Sequence, residues 1–234
     1  MSKTAFHIMI VGLFVFGLAA CEDVGETRTE SLKVDLGEAH SVAVNLRMSA
    51  GELTIQGGAQ ALADGSFTYN VERWKPKVDY QVSGDRGRLS IEQRKRAGIT
   101  FGNNKNRWDI RLNDQVPLEL KLKFGAGEGH LDLRGLNIKS LDINMGVGSL
   151  KLDLSGERKE NLDVRIDGGI GEGTIYLPEN IGVRVKVNGG IGSVNAGSLH
   201  KNDHVYTNEA YGKTPVTIDV DVEAGIGSIN LKLR

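Results

Sequence analysis

Glu128 and Glu172 each follow a glycine-rich corner, Gly125-Ala126-Gly127 and Gly169-Ile170-Gly171. Two carboxylates can share acid and base work when about 5 to 9.5 Å apart. In a stack of chain units these two stand about two rung spacings from one another, which permits that distance. The simpler role, solvating a glycine corner, accounts for both, and no catalytic residue is assigned. His200, Asp203 and His204 have a zinc-like spacing. That spacing joins two imidazoles only on a helix, and Gly197 to Pro215 reads as loop. Gly168-Gly169-Ile170-Gly171-Glu172-Gly173 invites a phosphate-cradling role. A dinucleotide loop, however, must open a helix inside a βαβ unit, and no helix is legible here. The same run opens like a calcium-roll repeat, but Gly173 stands where the liganding aspartate belongs, as Val194 does one copy later. Calcium needs six or more oxygens. No metal and no cofactor are therefore expected, and the chain reads as a non-enzyme.

The residue best placed for covalent chemistry is Cys21, the one cysteine in 234 residues. It follows Leu18-Ala19-Ala20, behind a basic Lys3 and an apolar run from Ile8 to Leu18 too short to be a good membrane span. That arrangement resembles a bacterial lipobox, in which the signal segment 1–20 is cleaved and the cysteine thiol is diacylated. Several acyl chains on one cysteine make membrane attachment durable, where a single chain does not. Residues 21–31 then form a polar tether. The expected location is the extracytoplasmic side of the cell envelope, with the membrane as first partner. With 29 basic and 30 acidic residues, the chain has no basic footprint for nucleic acid.

These residues must be positioned by strands. There are 31 glycines, nearly twice the usual ~7 %, but only 4 prolines, with 39 % hydrophobic residues, which excludes collagen-like and disordered chains. A small-x-small tripeptide recurs with its third residue at Gly51, Gly127, Gly148, Gly171, Gly192 and Gly227. Before each copy the chain alternates with period two, as in Leu118, Leu120, Leu122 and Phe124, the pattern of a half-buried strand. After each copy the alternation resumes out of phase, so the backbone must turn at the glycine, which tolerates positive φ. From Gly127 onward the corners are 21, 23, 21 and 35 residues apart, the length of a two-strand solenoid repeat.

A coil of stacked rungs and a meander of hairpins both fit this spacing. In a coil, equivalent outward residues are neighbours, and opposite charges there help. Five positions before the corner's central residue the copies read Asn45, Lys121, Asp142, Arg165, Lys186 and Asp221. The alternation from Lys121 to Arg165 favours the coil, while Arg165 beside Lys186 opposes it. Between the first copy and the rest, Phe67 to Leu112 alternates in short strands separated by turn signals, an inserted antiparallel meander. Its loop from Arg94 to Arg107 holds five basic residues and reads as a solvated loop, or as a basic finger for phosphate-bearing envelope polymers. The chain divides into a region 32–117 carrying the meander and a repeat region 118–234.

The runs Met48-Ser49-Ala50-Gly51-Glu52-Leu53, Phe67 to Pro76, Trp108 to Asp114, Gly125-Ala126-Gly127-Glu128-Gly129 and Val205 to Gly212 together resemble the toast-rack family of bacterial envelope proteins. The resemblance runs from about Val42 to the end and implies an all-β, β-helix-like rack, related to adhesin-like domains. It is also similar to the extracytoplasmic domain of regulators that respond to cell-wall antibiotics. Those regulators carry several membrane helices, whereas this chain offers a lipid anchor. The expected function is a lipid-anchored, non-catalytic interaction or scaffold module with a protein or envelope polymer as partner. The alternatives are an accessory sensor of envelope stress and an enzyme acting on envelope glycan.

Overall fold

The computed structural model describes residues 25–93, 103–190 and 192–234; Cys21 and residues 94–102 of the basic loop lie outside the described residues. In chain order the strands are β1 (Arg28–Val34), β2 (Ser41–Gln56), β3 (Ala63–Tyr69), β4 (Pro76–Ser83), β5 (Arg86–Gln93), β6 (Asn106–Leu112), β7 (Leu118–Asp132), β8 (Ile138–Asp153), β9 (Leu162–Leu177), β10 (Gly182–Gly189), β11 (Gly192–Asn195), β12 (His200–Asn202), β13 (Val205–Thr207) and β14 (Thr217–Leu233). One short 3₁₀ turn, Glu72–Trp74, is added, and the described residues contain no α-helix.

β2, β7, β8, β9 and β14 are long because each runs through its glycine corner, giving two arms per strand. They pair in parallel, corner beside corner. Five residues separate Asp132 from Ile138, enough to span about 20 Å. The end of one rung's second arm must therefore lie near the start of the next rung's first arm, and the two arms face each other. This is the coil, not the hairpin meander. Leu120, Leu122 and Phe124 on the first arm of β7 and Leu131 on its second arm are all buried in one apolar interior. The odd offset across the corner is resolved as an outward position: Val147 is 51 % exposed while Leu150, three residues on, is buried.

Spatial order departs from chain order at both ends. β2, the first rung in the chain, lies inside; its first arm pairs with β5, its second arm with β6, and its other side with β7. β14, the last, lies between β9 and the broken rung made of β10 and β11. The expected inserted meander is thus only partly antiparallel. β1–β3, β3–β6 and β4–β5 pair antiparallel, but β5 and β6 join the parallel stack as a seventh rung, β5 beside the first arm of β2 and β6 beside its second. Period-two alternation makes a strand without naming its neighbour, which is why both readings fitted the sequence. The stretch from Gly197 to Pro215 likewise contains a hairpin, β12–β13, with β13 laid on β10.

The corners show why glycine is required. Gly148 has φ +139°, outside the region open to L side chains, and a Cβ there would sit 1.8 Å from the Gly127 carbonyl oxygen of the adjacent rung. The column Gly51, Gly127, Gly148, Gly171 and Gly227 repeats the same contact from rung to rung. A Cβ at Gly192 would meet the Gly227 oxygen at 1.9 Å, and at that end Gly189 has φ +114°. The flanking glycines form a second column, in which Gly169 abuts the Gly146 oxygen at 2.3 Å.

Candidate interaction surfaces

The stacked register puts Glu52, Glu128, Ser149, Glu172 and Ser228 in one outward row. Glu128 and Glu172 are two rungs apart with Ser149 between them, on an open face. Glu172 accepts a hydrogen bond from Asn230 Nδ2 at 3.2 Å. His200 and His204 do not converge. The first pairs with Glu209 and the second lies 3.4 Å from Asp203, and among the described residues no group of three His, Cys, Asp or Glu could hold a metal. The run from Gly168 to Gly173 passes through β9 as strand, so it opens no helix. Of the basic loop's described members, Arg107 is bound to Asp109 at 3.0 Å and lies 3.5 Å from Glu52; Asp109 holds its guanidinium charged.

Three asparagines fix the strand ends, of which the sequence marks only Asn113, with Asp114, as a turn signal. Asn208, 3 % exposed, donates from Nδ2 to the carbonyls of Pro178, Glu179 and Ile181, and its Oδ1 accepts from the Val183 amide at 2.9 Å. Asn113 does the same between Ala59, Ala61 and the amides of Gln115 and Val116. Asn70 joins the Asn103 carbonyl to the Lys105 amide, tying the far end of the basic loop. Each satisfies backbone groups that irregular chain would otherwise bury unpaired. For Asn70 and Asn113 the available signal was an asparagine directly after an alternating apolar run; Asn208 follows no such run.

On the second-arm face, Asp153 is buried and accepts from Arg234 at 2.7 Å and from Ser155. The Arg234 guanidinium lies 4.0 Å from the centre of the Tyr176 ring, with the ammonium groups of Lys151 and Lys232 near 6 Å from it, at 5.7 and 5.8 Å. The rung of β9 also leaves a defect inside. Gly168 and Gly173 stand in the inward rows that Met145, Leu150 and Ile229 fill on its neighbours, leaving an apolar cavity of about 60 Å³. On β7, Phe124 occupies the equivalent space above Gly129.

Strand edges are the remaining surfaces. Alternation through Leu231 and Leu233 predicts a last rung whose edge binds a partner or is covered by the loop from Gly197 to Pro215, but β14 is internal, because β10 and β11 pair along its outer side as far as Asn230. Among the described residues the free edges belong to β1, β4, β11 and β12. Val78 and Val82 on β4 are exposed at 38 % and 41 %.

Residues 23–176 match the family model described as the N-terminal domain of toast_rack, and residues 126–231 match the C-terminal domain of LiaF, described as a cell wall-active antibiotics response protein. A crystal structure from Clostridium sporogenes described as a "putative cell adhesion protein" is 38 % identical, covers 89 % of this chain and all of its own, and superposes with a TM-score of 0.84. A "putative adhesin" from Bacteroides fragilis is 15 % identical over 88 % of this chain and 97 % of its own, with a TM-score of 0.34. No curated protein matches the chain.

Proposed function

Because the chain belongs to the toast-rack family, we propose that it is a lipid-anchored envelope protein whose rack is a non-catalytic interaction module. The observation that carries this reading is the likeness, along nearly the whole chain, to a protein described as a "putative cell adhesion protein". The two outward faces of the rack and its strand edges offer the contact surfaces, and Cys21 supplies the anchor. The partner is a protein or an envelope polymer outside the cytoplasm. A second reading, an accessory sensor in an envelope-stress system, draws on the match of residues 126–231 to a cell-wall-antibiotic-response domain.

One strain comparison tests both. Wild-type cells and cells carrying Cys21→Ala are labelled with a fatty acid and fractionated, then scored for adhesion, envelope integrity and stress-gene expression. The proposal expects label and membrane attachment to be lost with Cys21, together with adhesion or integrity, while stress-gene expression stays level. Equal labelling with and without Cys21 removes the anchor. A primary change in stress genes favours the sensor.

A further inference from the structure

An unpaired strand edge is a template for another chain, and proteins blunt such edges with short length or charge. β11 and β12 are short, at 4 and 3 residues. β1 is guarded by Arg28 paired to Glu72, Glu30 paired to Lys75, and Lys33. β4 is different. It runs for 8 residues and pairs only with β5 among the described residues. Its Val78 and Tyr80 stand opposite Ile91 and Leu89, the buried residues of β5, so Val78, Tyr80 and Val82 continue the inward apolar face. That face runs on past its cover, because Val78 and Val82 are two of the four exposed large apolar side chains among the described residues. The Tyr80 hydroxyl donates to the Leu36 carbonyl at 2.7 Å, which pins the hairpin and preforms the edge.

We propose that β4 pairs antiparallel with β4 of a second copy, about a two-fold axis at Tyr80. In that register Tyr80 faces itself, Val78 faces Val82 of the second copy, Asp79 faces Gln81, and Lys77 faces Ser83. Every apolar residue meets an apolar one and no like charges meet. Moving the axis to Asp79 sets that carboxylate against its own copy; moving it to Val78 leaves Val82 uncovered. The Asp79–Gln81 hydrogen bond already made along the strand, at 3.1 Å, is re-formed across the interface. A single strand pair is at the small end of interfaces, so the dimer is weak in solution and gains from tethering both copies to one membrane. The proposal rests on the rack being an interaction module, and not on the anchor at Cys21.

Sedimentation equilibrium of the full chain in detergent, across micromolar concentrations, tests it. The wild type dimerises, and Val78→Lys or Val82→Lys weakens the dimer by about tenfold or more. Gln81→Lys faces Asp79 and tightens it by roughly threefold, while Gln81→Glu weakens it by a similar factor. All four variants keep the wild-type melting temperature, since these side chains are exposed. Cys21→Ala keeps the dimer whether or not the fatty-acid label is lost, which separates this proposal from the anchor. A chain that stays monomeric, a dimer indifferent to the Val82 and Gln81 variants, or a monomer that adds only an extended peptide on β4 overturns it.

Discussion

Asp221 stands beside Arg165 in register across the β9–β14 boundary, and Lys186 flanks it on the other side. Inserting β14 there makes the outward column read Asn45, Lys121, Asp142, Arg165, Asp221, Lys186, with charge alternating from Lys121 onward. Lys121 and Asp142 meet at 3.0 Å. In chain order Arg165 and Lys186 clash; in space a carboxylate separates them. The chain order, with β10 directly on β9 and β14 beyond it, loses the Arg165–Asp221 contact and gains the repulsion between Arg165 and Lys186.

Asp221→Lys therefore costs more than Asp221→Asn. The charge reversal converts two attractive neighbours into two repulsive ones, for about 1 to 2 kcal/mol at low salt, and the neutral variant loses roughly half of that. Urea unfolding checks it. The difference between the variants shrinks at about 1 M salt, where the screening length falls to ~3 Å. Equal midpoints at low salt remove the ladder as a source of order.

Glycine to alanine changes separate the corners from the cavity. Gly148→Ala must push adjacent rungs apart at a carbonyl 1.8 Å away and hold positive φ, and loses about 3 kcal/mol or more, seen as a melting temperature lower by roughly 10 °C. Gly173→Ala meets no atom within 4 Å and has no positive φ, so it fills some of the β9 cavity and gains about 0.5 to 1 kcal/mol. Gly135→Ala, also in open space, shares that unfolded-state gain and is the control for it. Gly65, within β3, is no such control despite its polar surroundings. Its φ is +151° and its Cβ would lie 2.0 Å from the Asp109 oxygen. A Gly148→Ala protein as stable as the Gly135 variant would mean the corner columns are not close-packed.

The sequence carried the strands and corners because both leave local marks: period two from Leu118 to Phe124, and glycine where two backbones touch. Neighbour order left only a nonlocal mark, the mismatch of Arg165 with Lys186, which resolves once Asp221 is placed between them. β13 was illegible because three residues, Val205 to Thr207, are too few to show a period, although Tyr206 is buried there. β5 and β6 read as a meander because their hairpin turns are local, whereas their parallel partner β2 lies more than thirty residues away in sequence. The candidate surfaces were less legible still: the exposure of Val78 and Val82 depends on where the cover of the sheet stops.

Alkaline pH probes the end of the rack through Tyr69. Burial, and then the Glu30 carboxylate that accepts its hydroxyl proton at 2.6 Å, push its pKa up to about 12. A group whose folded pKa is raised lends stability that is whole below its unfolded value near 10 and is lost as pH climbs through the folded value. Unfolding midpoints should fall between about pH 10 and 12. Tyr69→Phe, weaker at neutral pH for want of the hydrogen bond, should show a flatter decline. Glu30 acts in the opposite direction, since Lys75 and then Tyr69 hold its carboxyl below the usual range, so its share is present above the unfolded pKa and lost on acidification. A Tyr69→Phe protein that declines as steeply as wild type at high pH would place the alkaline sensitivity elsewhere.

Hydrogen exchange reads the position of β14 directly. In a parallel sheet, successive amides of an inner strand donate alternately to its two neighbours, so consecutive residues are protected; an edge strand protects only every second one. β14 has β9 on one side from Ile218 to Leu233, broken only at Gly225, and β10 then β11 on the other as far as Asn230. The amides of Val220, Asp221, Val222 and Glu223 should therefore exchange slowly as an unbroken run, as should Ile229 and Asn230. β12 is the contrast. Among the described residues its three residues pair with β13 alone, and they are exposed, so they should exchange quickly. An alternating slow and fast pattern along 220–223 would put β14 at the edge of the sheet, returning Arg165 to the side of Lys186 and removing the inserted rung.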